Sequence, residues 1–193
     1  LAIENWFSVP ILFYDLDQKD LDLVQTEIDT AMPDILKQDL SNPWEDTVQT
    51  SFKYTVKHPD IIEERNLLHL KKIIFDQAVV FCAAYNLNYK FVIKESWINI
   101  CNKGGFQFEH QHLPFLLSGV YYYSATGDEG DIQFSSPNPW LDRNTYPFGH
   151  DKVFYKPITG RLILFPSYLK HLVKINNTDS QRISLSFNIE VIK

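Results

Sequence analysis

From residue 88 onward the chain reads as short apolar runs with alternating periodicity, cut apart by turn-forming clusters, and few folds accommodate that texture. Eight runs stand out, over 91–101, 106–112, 117–125, 131–136, 153–158, 161–166, 171–176 and 182–192. Between them lie Asn102-Lys103-Gly104-Gly105, Thr126-Gly127-Asp128-Glu129-Gly130, Thr159-Gly160 and Asn176-Asn177-Thr178-Asp179-Ser180. Such residues supply tight turns, because Gly and Asn tolerate positive φ and Asp, Ser and Thr bond their own backbone. Aromatic residues make up 15% of the chain, many in alternating runs, which suits a pleated, half-buried surface. Many short strands that follow helices point to a sandwich or jelly roll backed by helices.

The first 90 residues have a different rhythm. Asp17 opens a helical pattern through Leu21, Val24, Ile28 and Met32, and Leu36 and Leu40 extend the stripe past Pro33. A second, largely buried helix is expected over 61–85, on Leu67, Leu68, Leu70, Ile73, Ile74, Val79, Val80 and Ala83. A first strand over 6–14, marked as an edge by Pro10, and a short one over 47–56 complete this part. The expected architecture is therefore mainly β with N-terminal helices, one domain over 1–193. Residues 1–90 form a helical support and 91–193 the jelly-roll core. One long connection, 137–152, is rich in Pro and aromatics, as binding loops often are.

Within the β half, His110 and His112 are spaced so that an extended backbone projects both rings from one face. In an eight-stranded jelly roll the second and seventh strands are neighbours, which brings His171, at the start of the seventh, to the same mouth. Imidazole suits Fe, Zn, Cu and Ni alike, so ligand type alone does not choose the metal. On the last strand Arg182, Ser184 and Ser186 share one face, lining the barrel. Ile183, Leu185 and Phe187 share the other, packing on helices.

Composition narrows the partners. A net charge of −6 offers no general basic surface for nucleic acid or an acidic membrane. No apolar run approaches the roughly 20 residues of a membrane helix. The opening Leu1-Ala2-Ile3-Glu4-Asn5 has no basic and apolar leader pattern. Cys82 and Cys101 have no metal or redox spacing and suit a reducing interior, so the expected location is the cytoplasm.

The segments His110-Gln111-His112, Phe165-Pro166-Ser167-Tyr168-Leu169-Lys170-His171-Leu172-Val173 and Gln181-Arg182-Ile183-Ser184 together resemble the Fe(II)- and 2-oxoglutarate-dependent oxygenases, especially prolyl-hydroxylase-like proteins of phages and marine bacteria. The likeness covers roughly residues 90–193. It implies a double-stranded β-helix, the cupin-like jelly roll. It also implies Fe(II) held by His110, His112 and His171, with 2-oxoglutarate and O2 consumed as a C–H bond is hydroxylated and succinate and CO2 released. Arg182 matches the arginine that pairs with the distal carboxylate of 2-oxoglutarate, assisted by Ser184. Asn99 and Tyr122 match further cosubstrate positions, and Tyr121 should point the other way. The substrate implied is a prolyl or other protein side chain, met by an aromatic surface of Trp44, Trp140, Tyr146 and Phe148.

The resemblance has one departure. The family's second ligand is a carboxylate, where this chain has His112. Either three imidazoles hold the metal, which strand geometry favours, or His112 stands behind the site and Asp131 completes it. Glu109 is disfavoured because adjacent strand residues face opposite ways. Two other readings compete. One is a cupin-type metalloprotein that does not use 2-oxoglutarate, suggested by Gly104 followed by His110 and His112, though the cupin glutamate is missing around Phe115, Leu116 and Leu117. The other is a non-catalytic jelly-roll module, in which Arg182 and Ser184 are an exposed strand face and His58, His69 and His150 are structural or solvent-facing.

Overall fold

The computed structural model describes residues 8–41, 48–52, 57, 59–138, 140 and 150–192. Among these described residues three helices and ten strands follow one another. They are β1 (Leu12–Asp15), α1 (Gln18–Ile35), β2 (Val48–Thr50), α2 (Ile61–Glu64), α3 (Leu68–Ala83), β3 (Lys90–Cys101), β4 (Gln107–His110), β5 (Leu117–Ser124), β6 (Ile132–Ser135), β7 (Lys152–Tyr155), β8 (Arg161–Pro166), β9 (His171–Val173) and β10 (Arg182–Ile192). All eight strands expected after residue 88 are present, most of them trimmed at their ends.

The strands form two antiparallel sheets, one ordered β1-β8-β5-β10-β3-β2 and the other β4-β9-β6-β7. This is the helix-backed jelly roll. The helices cover the outer face of the six-stranded sheet. Val24, Ile28 and Ile35 of α1 and Leu70, Ile74 and Ala78 of α3 pack with Ile98, Tyr121, Leu162, Leu185 and Phe187. A second core lies between the sheets, built from Val120, Tyr122, Ile132, Phe134, Ile163, Phe165 and Leu169.

The helical half departs from expectation at several points, among them the exposure of Leu68, Val79 and Val80 on a helix expected to be largely buried. The Asp17 carboxylate caps α1 by accepting the Asp20 N–H at 2.9 Å, but the helix stops at Ile35 and Leu36 is exposed. Pro33 removes one helical donor, so the stripe ends within a turn of it. Leu40 is still buried, and its own carbonyl accepts the Thr50 N–H at 2.8 Å. The single helix expected over 61–85 is two, because Asn66 takes φ 54° between α2 and α3. Asparagine enters that left-handed conformation more readily than most residues, and one such residue interrupts a helix. Among the described residues the first strand covers Leu12–Asp15 and does not include 8–11, while 6–7 of the expected 6–14 lie outside them; it does lie at an edge of the larger sheet.

Gly119 on β5 sets the approach of its neighbours. It pairs with Phe187 of β10 and Leu164 of β8, and a Cβ there would sit 2.4 Å from Phe187 Cζ and 2.7 Å from Leu164 Cδ2. Gly119→Ala is therefore expected to destabilise the fold by about 1–3 kcal/mol. Urea denaturation checks this: the midpoint should fall while the slope is unchanged.

Candidate metal centre

The β4–β9 pairing sets the site. His110 and His171 are direct cross-strand partners, with Gln107 opposite Val173 and an irregular register between. His112 lies beyond the end of β4, not on the strand as its spacing suggests. Its N–H donates to the Ser167 carbonyl at 2.9 Å, which holds the extension against the β8–β9 connection. Ser167 is itself fixed: its hydroxyl lies 2.7 Å from that of Ser118, which donates to Asn188 Oδ1, and Asn188 Nδ2 donates to Glu95. The three rings converge, with centroids 4.3 Å apart for His110 and His171, 5.0 Å for His110 and His112, and 5.2 Å for His112 and His171. One ring nitrogen from each lies within 4.8 Å of the others.

Their chemistry fits a metal. Nδ1 of His110 is 2.7 Å from the Phe108 carbonyl, and Nδ1 of His171 is 3.0 Å from that of Leu169. A carbonyl only accepts, so each Nδ1 carries the proton and each Nε2 keeps its lone pair for a ligand. Burial, followed by the neighbouring His110, pushes the His171 pKa down to about 3 and that of His112 to about 4. Both rings are thus neutral at ordinary pH, the form that binds a metal.

The imidazoles open onto a cavity between the sheets, with about 50 Å³ of room, several times the 10–15 Å³ that one water needs. Asn99, Tyr122, Arg182 and Ser184 line the same cavity, so all seven expected site residues meet there. Burial pushes the Tyr122 phenol up to about 12 against the opposing pull of Arg182, so it is a neutral hydroxyl. Tyr121 faces the helices, as alternation requires. Asn99 is held from both ends: Oδ1 accepts from Thr50 Oγ1 at 2.8 Å, and Nδ2 donates to Ser186 Oγ at 3.2 Å.

Arg182 is the electrostatic centre of the cavity. It is 4% exposed, and one guanidinium nitrogen donates to the carbonyls of Glu129 at 2.6 Å and Gly130 at 2.9 Å. Among the described residues no carboxylate pairs with it. A buried cation without a counter-ion is unfavourable until an anion arrives, so the cavity is built for one.

Other candidates fall away from the centre. Asp131 sits 3.7 Å from Lys174 Nζ and lines a different groove, and Glu109 accepts from Ser135 Oγ. His69 pairs with Glu27, and His150 is exposed. Trp140 is 82% exposed. Trp44, Tyr146, Phe148 and His58 lie outside the described residues. Sequence reasoning missed the Ser167 carbonyl that steadies His112 and the Glu129–Gly130 carbonyls that hold Arg182. No residue-type pattern marks a main-chain oxygen.

Residues 95–188 match a family model described as "Putative 2OG-Fe(II) oxygenase". A search of the curated proteins gives no match. Among solved structures the chain is similar to HygX from Streptomyces hygroscopicus with nickel and 2-oxoglutarate bound, at TM-score 0.61 and 12% identity over 94% of this chain and 83% of that one. It is also similar to the non-heme alpha ketoglutarate dependent carbocyclase SnoK from nogalamycin biosynthesis (0.63, 14%, 94% and 79%). A third likeness is to a Pseudomonas putida prolyl-4-hydroxylase (0.59, 15%, 96% and 95%). At these identities the structural likeness is one of fold.

The two ligand sets left open by the sequence predict different metal affinities. His112→Ala should weaken Mn(II) binding by more than about 100-fold, above the usual loss for an outer-shell residue, while Asp131→Asn leaves it unchanged. Titration calorimetry with Mn(II) reads both; a large loss in the Asp131 variant would return the acid to the site.

Proposed function

We propose that this chain is a 2OG-Fe(II) oxygenase, as the match of residues 95–188 supports, in which His110, His112 and His171 hold Fe(II) while Arg182 binds the distal carboxylate of 2-oxoglutarate. The observation that carries the reading is the buried guanidinium of Arg182, with no carboxylate partner among the described residues, facing the same cavity as three converging imidazoles. When bound, the iron supplies activation of O2, coupling decarboxylation of 2-oxoglutarate to succinate and CO2 with insertion of the second oxygen atom into a C–H bond.

The chain's own residues orient the reactants. The Phe108 and Leu169 carbonyls fix the His110 and His171 rings through their Nδ1–H groups, leaving each Nε2 lone pair to the metal these rings would hold. A guanidinium meets a carboxylate through parallel N–H bonds, so Arg182 sets position as well as charge. Ser184 offers a hydroxyl from the same strand face, Tyr122 a neutral phenol that donates without ionising, and Asn99 an amide already oriented by Thr50 and Ser186. The apolar core around Phe134, Phe165 and Leu169 keeps bulk water from the back of the site.

The proposed substrate is a protein side chain, proline first, on the resemblance to prolyl hydroxylases. Among the described residues no helix is long and apolar enough to cross a membrane. The buried cysteines Cys82 and Cys101 suit the reducing cytoplasm proposed as its location, and the net charge argues against nucleic acid or a membrane surface as partner. A cupin without 2-oxoglutarate has no use for Arg182 in this cavity, and a passive binding module has none for a trio of converging imidazoles.

The test is Fe(II)-dependent conversion of 2-oxoglutarate to succinate by the purified protein, which is expected even without substrate. Arg182→Ala should raise the 2-oxoglutarate Kd about 100-fold, as for loss of one partner of a buried charge pair, with Mn(II) affinity unchanged. Equal 2-oxoglutarate affinity in wild type and variant would remove Arg182 from the site.

A further inference from the structure

Arg182 reaches the cavity only because something behind it accepts its inner N–H groups. Those acceptors are the carbonyls of Glu129 and Gly130, in the loop between β5 and β6. The loop is closed by the Glu129 side chain, which is fully buried. Both of its oxygens accept the Thr126 N–H at 3.0 Å. Oε1 also accepts Thr126 Oγ1 at 2.6 Å, and Oε2 the N–H groups of Gly127 at 3.1 Å and Asp128 at 3.2 Å. Successive N–H groups curled around one anion make a nest, and here the anion belongs to the loop itself. Burial alone would raise the Glu129 pKa, but the Thr126 and neighbouring donors outweigh it and hold the carboxyl below its ordinary value.

The outer wall is equally tight. Gly130 has φ +91°, and a Cβ there would lie 2.2 Å from the Lys174 carbonyl oxygen just past β9. Lys174 N–H donates to the Asp131 carbonyl at 2.9 Å, tying the loop to that segment. Glu129 therefore acts at both ends: its side chain locks the turn, and its own carbonyl, with the next one, grips the guanidinium.

We propose that Glu129 is a positioning residue for the cosubstrate, holding the 126–130 turn so that Arg182 presents its free N–H groups to the distal carboxylate of 2-oxoglutarate. This rests on Arg182 being the carboxylate anchor. Glu129→Gln keeps the shape but sets an NH2 against backbone donors, so the turn loosens and the grip on Arg182 with it.

The experiment is calorimetry on the Mn(II)-loaded protein with 2-oxoglutarate and with 2-oxobutyrate, which lacks the distal carboxylate. Glu129→Gln should raise the 2-oxoglutarate Kd about tenfold, the lower range for an outer-shell partner. It should leave Mn(II) and 2-oxobutyrate affinity unchanged and add nothing to Arg182→Ala in the double variant. A purely structural staple would instead weaken all three ligands, or weaken 2-oxoglutarate equally with and without Arg182, and either result overturns the proposal. Wild-type 2-oxoglutarate affinity in Glu129→Gln, with Arg182→Ala impaired, overturns it while the anchor stands; wild-type affinity in Arg182→Ala sinks both. Should Glu129→Gln fail to fold, Thr126→Val decides. It removes one donor and should show the same ligand pattern at about twofold, and no change there overturns the proposal.

Discussion

The antiparallel pairing of β10, held by β3 on one side and β5 on the other, is the constraint from which the rest of the molecule follows. A strand bonded along both edges has no freedom to slide, and a slip of one residue would exchange its two faces. On one face Leu185, Phe187 and Ile189 complete the core beneath the helices; on the other Arg182, Ser184 and Ser186 line the cavity. The hydrophobic demand of the helix layer thus fixes the register that delivers a buried cation to the site. Tyr121 and Tyr122 on β5 obey the same rule, one facing each side.

This coupling explains what was legible in the sequence. Period-two alternation and turn chemistry revealed the eight strands, and Gly104, Gly127, Gly130 and Gly160 do take positive φ in the turns between them. His110, His171 and Arg182 were readable because side-chain type, strand order and face are all written in residue identity. His112 does lie beside His110, but not through the spacing alone: β4 ends before it, and the Ser167 carbonyl rather than a regular pleat holds it in place. The break at Asn66 was hidden because its apolar flanks fit one continuous helix as well as two. Glu129 looked like an ordinary turn residue, since the donors that wrap it and the arginine behind it depend on backbone direction, which residue type does not encode.

The departure at position 112 has an electrostatic consequence on the proposed assignment. A carboxylate there would cancel one charge of a divalent metal, whereas a neutral imidazole cancels none. Among the described residues no acid takes its place, since Asp131 is turned to Lys174 and Glu109 to Ser135. Metal and Arg182 then act together on a ligand that is itself a dianion, in a cavity where apolar walls weaken screening. The His112 ring also lies 5.7 Å from that of Trp97, so this position is bounded by an aromatic surface.

The free protein bears the consequences of this arrangement. The His112 and His171 imidazoles kept neutral by burial, and a guanidinium whose partners among the described residues are carbonyls, cost more to bury than apolar residues would. The surrounding structure offsets that with elements that serve the site without touching the reaction: the Ser118–Ser167–Asn188 network under His112, and the closed turn of Glu129 under Arg182. Ligands that bind only the folded state recover the deficit on arrival. The rigidity beneath each charged or metal-directed group is therefore what lets the cavity remain poised for an anion without collapsing around its own cation.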